Sequence, residues 1–306
     1  MNVLVTGATG FLGLHLTKAL VNKGHTVIGI VHDGHSGIER PLAHWVFADV
    51  ADMSALERAI SDYECNAVIH LAAITQVSVA LSDPISTFET NVRGTWNVLE
   101  ACRRQKIKRV IVASTDKVYG MSSPPYTEST RLRPNRPYET SKACADILAY
   151  TYASSYGMSI AVTRSVNIYG PGHLNWSTLI PGTIRRIVRG EKPVLRNGGR
   201  MRRSFLYVED LVDGYLRLLD SEWVGAMCFG GGDPWSVRDV VNLIMRVMGK
   251  TVEVTETKEP QNEIQDQWSL FDLAEKELGW EPTCSLQTGL EKTIPWYLDY
   301  LSRKNT

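Results

Sequence analysis

The 306-residue chain has no excess of either charge: 33 Lys plus Arg stand against 33 Asp plus Glu. A nucleic-acid binder needs surplus positive charge to neutralise phosphates, so no nucleic-acid partner is expected. No apolar run is long enough to cross a bilayer, and no membrane partner is expected either. Cysteine is scarce. Cys65, Cys102, Cys144, Cys228 and Cys284 are odd in number, far apart and without CxxC spacing. They form neither a disulfide framework nor a metal motif, and imply reduced thiols. The opening MNVLVTGATG lacks a basic stretch ahead of an apolar core, so no secretory leader is expected and a cytoplasmic location is. There is no repeat and no low-complexity stretch.

What is present is ordinary globular material. Apolar residues make up 43%, which supplies a core and excludes a disordered chain. At about 100–200 residues per domain, the length implies two lobes or one large domain with a cap. Short apolar runs at 2–6, 26–32, 67–71 and 109–113 alternate with helical patterns at 12–23, 54–63, 85–105 and 138–156. That alternation implies parallel strands with helices on both faces. The strands lack polar alternation, as strands buried on both faces do. Later helices are predicted at 177–190, 209–220, 236–248 and 286–302. The expected division is 1–167 and 168–306, with a strand at 204–207 returning to the first part.

The strongest motif is TGATGFLG. Gly7, Gly10 and Gly13 follow the first strand and open the first helix at Phe11 and Leu12. Glycine permits the tight turn and a close approach of backbone to ligand. Free amides at the helix start, aided by the dipole, suit a pyrophosphate. The spacing is GxxGxxG, and its strand–turn–helix setting favours a dinucleotide. Asp33 stands twenty residues beyond Gly13 and reads in two ways. It binds the ribose hydroxyls, which favours NAD over NADP, or it is a solvated loop residue. Asp49, followed by Val50, either reaches the adenine or caps the next helix.

YETSK sets Tyr138 and Lys142 one helical turn apart on one face. A phenol with pKa about 10 is a poor base, and a nearby ammonium favours its ionised form. Tyr138 then suits removal of a hydroxyl proton while a hydride leaves the same carbon. Taken alone, such a pair is an ordinary helix surface, and the cofactor motif upstream gives it meaning. Ser114, Thr115, Asp116 and Lys117 end the fourth predicted strand, where ligands bind in doubly wound sheets. The alternative is a polar turn.

Across the whole chain, TGATGFLG, HLAAITQ, NVRGTWNVLEAC, STDKVYG, YETSK, NIYGPG, RRSFLYVEDLVDGYL and LGWEP resemble the extended short-chain dehydrogenase/reductases, specifically the NAD-dependent nucleotide-sugar epimerases and dehydratases. The resemblance implies an α/β fold. An NAD-binding Rossmann domain with a doubly wound parallel sheet would be joined to a smaller mixed C-terminal domain for a nucleoside diphosphate sugar. It also implies a homodimer through helices at 85–105 and 138–156. By motif position Thr115, Tyr138 and Lys142 match the catalytic Ser/Thr, Tyr and Lys, with Lys142 also on the nicotinamide ribose. Asn91 and Leu71, Ala72 and Ala73 match positions lining the cofactor. Asn167 and Arg203 match substrate contacts, with Arg203 either on the diphosphate or paired to Glu209 or Asp210.

Both reactions of this family begin by oxidising C4. An epimerase returns the hydride to the other face. A 4,6-dehydratase also removes the C5 proton and expels the C6 hydroxyl. Dehydratases of the family usually carry Asp-Glu after the threonine, and this chain has Asp116-Lys117. That pair resembles those of CDP-glucose 4,6-dehydratases and of inverting UDP-N-acetylglucosamine 4,6-dehydratases, while Asp33 and GPGHLNW around residues 173–176 resemble the CDP-glucose type. Glu259-Pro260 replaces the usual Arg-Pro. The expectation is a 4,6-dehydratase with Asp116 as acid and Lys117 as base or enolate stabiliser. The rivals are a 4-epimerase and a non-catalytic NAD-binding dimer. No metal is expected.

Overall fold

The computed structural model describes residues 1–32, 44–257 and 264–304. Asp33 and the Glu259-Pro260 pair lie outside these described residues. Seven parallel strands form the central sheet. In chain order they are Asn2–Thr6, Thr26–Val31, His44–Phe47, Ala67–His70, Arg109–Thr115, Ile160–Ser165 and Gly225–Phe229. Their spatial order is seventh, sixth, fifth, fourth, first, second, third. The order reverses between the first and fourth strands, which is where a doubly wound sheet opens a crevice for ligand.

Side chains alternate across a strand, so a sheet covered on both faces needs apolar residues at every position. The structure shows this sorting directly. Val3, Val5, Ile69 and Ile111 face one core, with Leu16, Leu20, Tyr215 and Trp280. Leu4, Ile28, Val68, Val110 and Val112 face the other, with Leu56, Val98 and Leu99. A third core, built from Ile180, Ile184, Val240, Ile244, Leu290 and Ile294, joins the helices Leu179–Val188, Val237–Val247 and Leu286–Lys304.

Several elements differ from the sequence reading. Phe205–Tyr207 does not enter the large sheet but pairs in parallel with Asn167–Tyr169. The late strand that does enter it is Gly225–Phe229, beside Ile160–Ser165. The predicted helix over 85–105 is broken into Pro84–Phe88, a wide π turn at Glu89–Arg93 and Gly94–Arg104. Asp83 caps the first piece by accepting from Ser86 N at 3.0 Å. No described helix is long and apolar enough to cross a membrane.

Candidate active site

The first strand ends at Thr6 and the chain turns at once through Gly7, whose φ is +66°. A Cβ there would stand 2.7 Å from the Ala72 nitrogen, so only glycine lets this turn lie against the fourth strand. Helix Phe11–Asn22 then begins at Gly10 with no side-chain cap and no acidic residue in its first turn. Its first amides are left for an outside acceptor, and the dipole favours an anion. This cradle fits the pyrophosphate of a dinucleotide.

A cavity of about 1040 Å³ extends from this turn across the sheet's carboxyl edge to helix Leu179–Val188. Its wall contains Gly7, Gly10, Phe11, Leu12, Gly13, Asp49, Val50, Leu71, Ala72 and Ala73. It also contains Thr115, Lys117, Tyr138, Lys142, Asn167 and Arg203. Asp49 does not cap the following helix, because Asp52 does so by accepting from Ala55 N at 3.0 Å. Asp49 instead accepts from Ala51 N at 2.8 Å and faces His32 Nε2 at 3.1 Å.

Asn91 and Asp116 are not in that wall. Asn91 is buried and its amide is spent on structure. It accepts from Ile74 N at 2.7 Å and donates to Ile74 O at 3.0 Å and to Ser141 Oγ at 2.9 Å. Ser141 in turn donates to Tyr138 O at 2.7 Å, so Asn91 ties the loop after the fourth strand to the helix bearing Tyr138. The Asp116 carboxyl is 0% exposed and stands behind its neighbours. Its Oδ1 accepts from Gln267 Nε2 at 2.7 Å and from the Thr115 hydroxyl at 3.3 Å. Its Oδ2 has no hydrogen-bond partner among the described residues. Burial pushes the Asp116 pKa up, against the opposing pull of Lys117, Gln267, Thr115 and Arg203.

Strand Arg109–Thr115 runs straight into a tight turn at Asp116–Tyr119. Thr115 steadies that turn by accepting from Lys117 N at 3.3 Å. Lys117 Nζ donates to Asn167 Oδ1 at 3.0 Å and lies 3.9 Å from Asp116 Oδ1. Tyr138 and Lys142 enter on helix Pro137–Tyr156, started by Pro137 and closed by left-handed Gly157. Lys142 Nζ donates to Ala113 O at 2.7 Å. The Tyr138 pKa is raised, not lowered as the sequence suggested. Burial is the largest cause and Asp116 adds to it, while Thr115 works the other way.

Lys142 is only 4% exposed, and burial lowers its pKa from 10.5 to about 8, with Asp146 resisting the shift. The sign gives two opposite trends with pH. The ammonium is lost as pH rises through about 8, so kcat should fall along an alkaline limb with its midpoint there. Over the range from about 8 to 10.5 the unfolded chain binds the extra proton, so this residue's contribution to stability rises with pH. A pH series of kcat beside thermal unfolding tests both. An alkaline limb that persists in Lys142→Met would contradict the assignment.

Arg203 does not pair with Asp210, whose carboxylate accepts from Thr283 Oγ1 at 2.7 Å and Cys284 N at 3.0 Å. The Arg203 guanidinium donates to the carbonyls of Arg202 at 2.8 Å, Gln265 at 2.6 Å and Ile264. Two further wall residues, His173 and Trp176, come from the stretch that the sequence singled out as CDP-glucose-like. His173 stacks on Phe11 at 4.5 Å, and Trp176 carries the Arg185 guanidinium at 4.8 Å. Their signal was GPGHLNW. Gln267 gave none, since it sits in a polar stretch without a motif.

Residues 3–226 match the NAD dependent epimerase/dehydratase family. The chain belongs to that family. It is 30% identical to a UDP-glucuronate 4-epimerase of Thermodesulfobacterium geofontis, over 96% of this chain and 95% of that protein. It is 29% identical to a dTDP-glucose 4,6-dehydratase of Shigella flexneri, over 97% and 93%. Among solved structures, Thermus thermophilus UDP-glucose 4-epimerase in complex with NAD superposes with a TM-score of 0.91. The identity is 27%, over 97% of this chain and 99% of that one. The protein is therefore an NAD-dependent enzyme of the nucleotide-sugar epimerase/dehydratase family, and its cofactor is NAD.

Proposed function

We propose that the enzyme is a nucleotide-sugar 4,6-dehydratase acting on a CDP-glucose-like substrate and releasing a 4-keto-6-deoxy sugar. The observation that carries the reading is Asp116, a buried carboxyl with a raised pKa set directly between the wall residues Thr115 and Lys117. Such a group is suited to enter the reaction with its proton on. An epimerase has no step that needs it.

Bound NAD supplies the acceptor for the C4 hydride, the donor that returns it to C6, and a positive charge in its oxidised ring. Gly7, Gly10, Phe11, Leu12 and Gly13 would hold its pyrophosphate. Asp49, Val50 and Leu71–Ala73 would line its path, and Lys142 would hold the nicotinamide ribose. Tyr138, assisted by Thr115, takes the 4-hydroxyl proton, and a positive charge beside the phenol counters the effect of burial. The C4 ketone acidifies C5–H. Lys117 assists its removal, held in place by Asn167 Oδ1. Asp116 protonates the C6 hydroxyl as the C6–O bond breaks. Arg203 addresses the diphosphate. The CDP-glucose assignment is supported by the Asp116-Lys117 pair and by His173 and Trp176 in the wall.

A 4-epimerase is the second reading. It is favoured by the absence of Asp116 from the wall and by the similarity to UDP-glucuronate 4-epimerase. A panel of CDP-, UDP-, GDP- and dTDP-sugars with mass-spectrometric detection separates the two. Loss of one water, greatest with CDP-glucose, is expected. Conversion of a sugar at constant mass would overturn dehydration.

We also propose that the chain pairs with a second copy. Ile85 and Tyr150 are 75% and 72% exposed on helices Pro84–Phe88 and Pro137–Tyr156, beside exposed Leu81, Trp96 and Ile147. Apolar exposure gathered on neighbouring helices marks an interface.

A further inference from the structure

The residue that orients Asp116 comes from the far end of the chain. Gln267 is 2% exposed and lies in the short strand Asp266–Gln267, which pairs in parallel with Arg202–Arg203. The strand is pinned from several sides. Arg202 reaches Asp266 Oδ2 at 2.9 Å, Ser204 N donates to Gln267 O at 3.4 Å, and Tyr126 N donates to Trp268 O at 2.9 Å. Arg203 holds the carbonyls just before it. On this fixed backbone the Gln267 amide points its Nε2 at Asp116 Oδ1, 2.7 Å away.

A carboxylic acid has one oxygen that accepts and one that carries the proton. Oδ1 accepts from both Gln267 and Thr115, while Oδ2 has no partner among the described residues. From this geometry we propose that Gln267 is a positioning residue for water elimination, and that its amide reserves Oδ1 as the acceptor so that Oδ2 holds the proton given to the C6 hydroxyl. The step balances. Water beside Lys117 takes the C5 proton, and the C5–H electron pair forms the C5–C6 double bond. The C6–O bond breaks, and the Asp116 Oδ2 proton joins the departing oxygen to give water. Without the amide, the carboxyl is free to turn and to place its proton on either oxygen. Asp116 neither gives nor takes a proton in oxidation at C4, so that step feels Gln267 only through the charge of Asp116 near Tyr138.

The inference rests on the dehydratase reading, and the test separates the two. In Gln267→Met, a near-isosteric change without a donor, absorbance of reduced nicotinamide on mixing with CDP-glucose reports C4 oxidation, and mass spectrometry reports water loss. Oxidation is expected within a few-fold of the unaltered enzyme. Water loss is expected to fall by about 10²-fold, the lower end for a general-acid contribution, so reduced cofactor accumulates. Equal effects on both steps, or none on water loss, would overturn the role of Gln267. If the unaltered enzyme releases no water from any sugar in the panel, the dehydratase reading itself fails.

Gln267→Glu guards against a packing artefact. At neutral pH its carboxylate cannot donate, and on acidification it can. Water loss should therefore recover as pH falls, relative to the unaltered enzyme. The other titratable groups facing Asp116 are Lys117, Arg203, Tyr126, Tyr138 and Cys228, and these are common to both proteins. A flat ratio across pH would leave Gln267 a packing residue only.

Discussion

Tyr138→Phe should lower kcat by about 10²–10⁴-fold, the range for losing a general acid–base group, while NAD binding and unfolding temperature stay close to those of the unaltered protein. Tyr138 is the one phenol in the wall beside Thr115 that also sits one helical turn from Lys142. Its ring packs at the start of helix Pro137–Tyr156, and phenylalanine preserves that packing. Only the hydroxyl is lost, and with it the acceptor for the 4-hydroxyl proton. Stopped-flow measurement should show that formation of reduced nicotinamide slows by the same factor as turnover. If turnover fell while reduced nicotinamide formed at the normal rate, Tyr138 would belong to a later step.

Gly13→Ala should have the largest effect on the fold. The added methyl would stand 2.2 Å from Gly7 O, 2.8 Å from Ala8 Cα and 2.9 Å from Ala8 C, all backbone atoms of the turn itself. Nothing there yields except by pushing helix Phe11–Asn22 away from the first strand. Overpacking of this kind costs about 1–3 kcal/mol or more, and the displaced amides would bind NAD at least about tenfold more weakly. Gly10→Ala is the internal comparison. Its methyl would stand 3.1 Å from Gly7 O, a contact that small shifts relieve. Denaturant unfolding and NAD titration of both variants should rank Gly13→Ala as the more damaged. Equal losses would mean that the turn is more compliant than the packing implies.

The parts of the fold that were legible are those where one local signal dominates. Strands Asn2–Thr6 and Ala67–His70 are unbroken apolar runs. Helix Pro137–Tyr156 carries its own start and stop in Pro137 and Gly157. Ile160–Ser165 escaped notice because Arg164 interrupts its apolar run. That charge is held inside by the bond of its Nε to Asp146 Oδ2 at 2.6 Å and by bonds of its Nη1 to the Tyr119 hydroxyl at 3.0 Å and Glu128 O at 3.1 Å, all of them tertiary contacts. His44–Phe47 has exposed ends and a polar first residue, and Gly225–Phe229 opens on a glycine in a left-handed conformation, so neither stands out as a buried apolar run. The break at Glu89–Arg93 was hidden because no proline or glycine lies within the stretch to mark it, while its backbone widens around the buried Asn91.

The wall of the site was largely readable because strand ends and glycine turns fix where it must lie. Thr115, Lys117, Tyr138, Lys142, Asn167 and Arg203 come together as their motifs suggested. Which side chains face the cavity and which support it was not readable. Asn91 stands behind the wall with its amide claimed by Ile74 and Ser141, and Asp116 stands behind it with Oδ1 claimed by Gln267. That partner, 151 positions after Asp116, follows no local pattern.

The most direct test of dehydration is incubation of the NAD-loaded enzyme with CDP-glucose in deuterated water, followed by mass spectrometry and proton magnetic resonance of the product. Proton removal at C5, loss of the C6 oxygen and reprotonation predict a product lighter by one water, with deuterium at C5 and a methyl group at C6. A product of unchanged mass, inverted at C4 and carrying no deuterium, would contradict it.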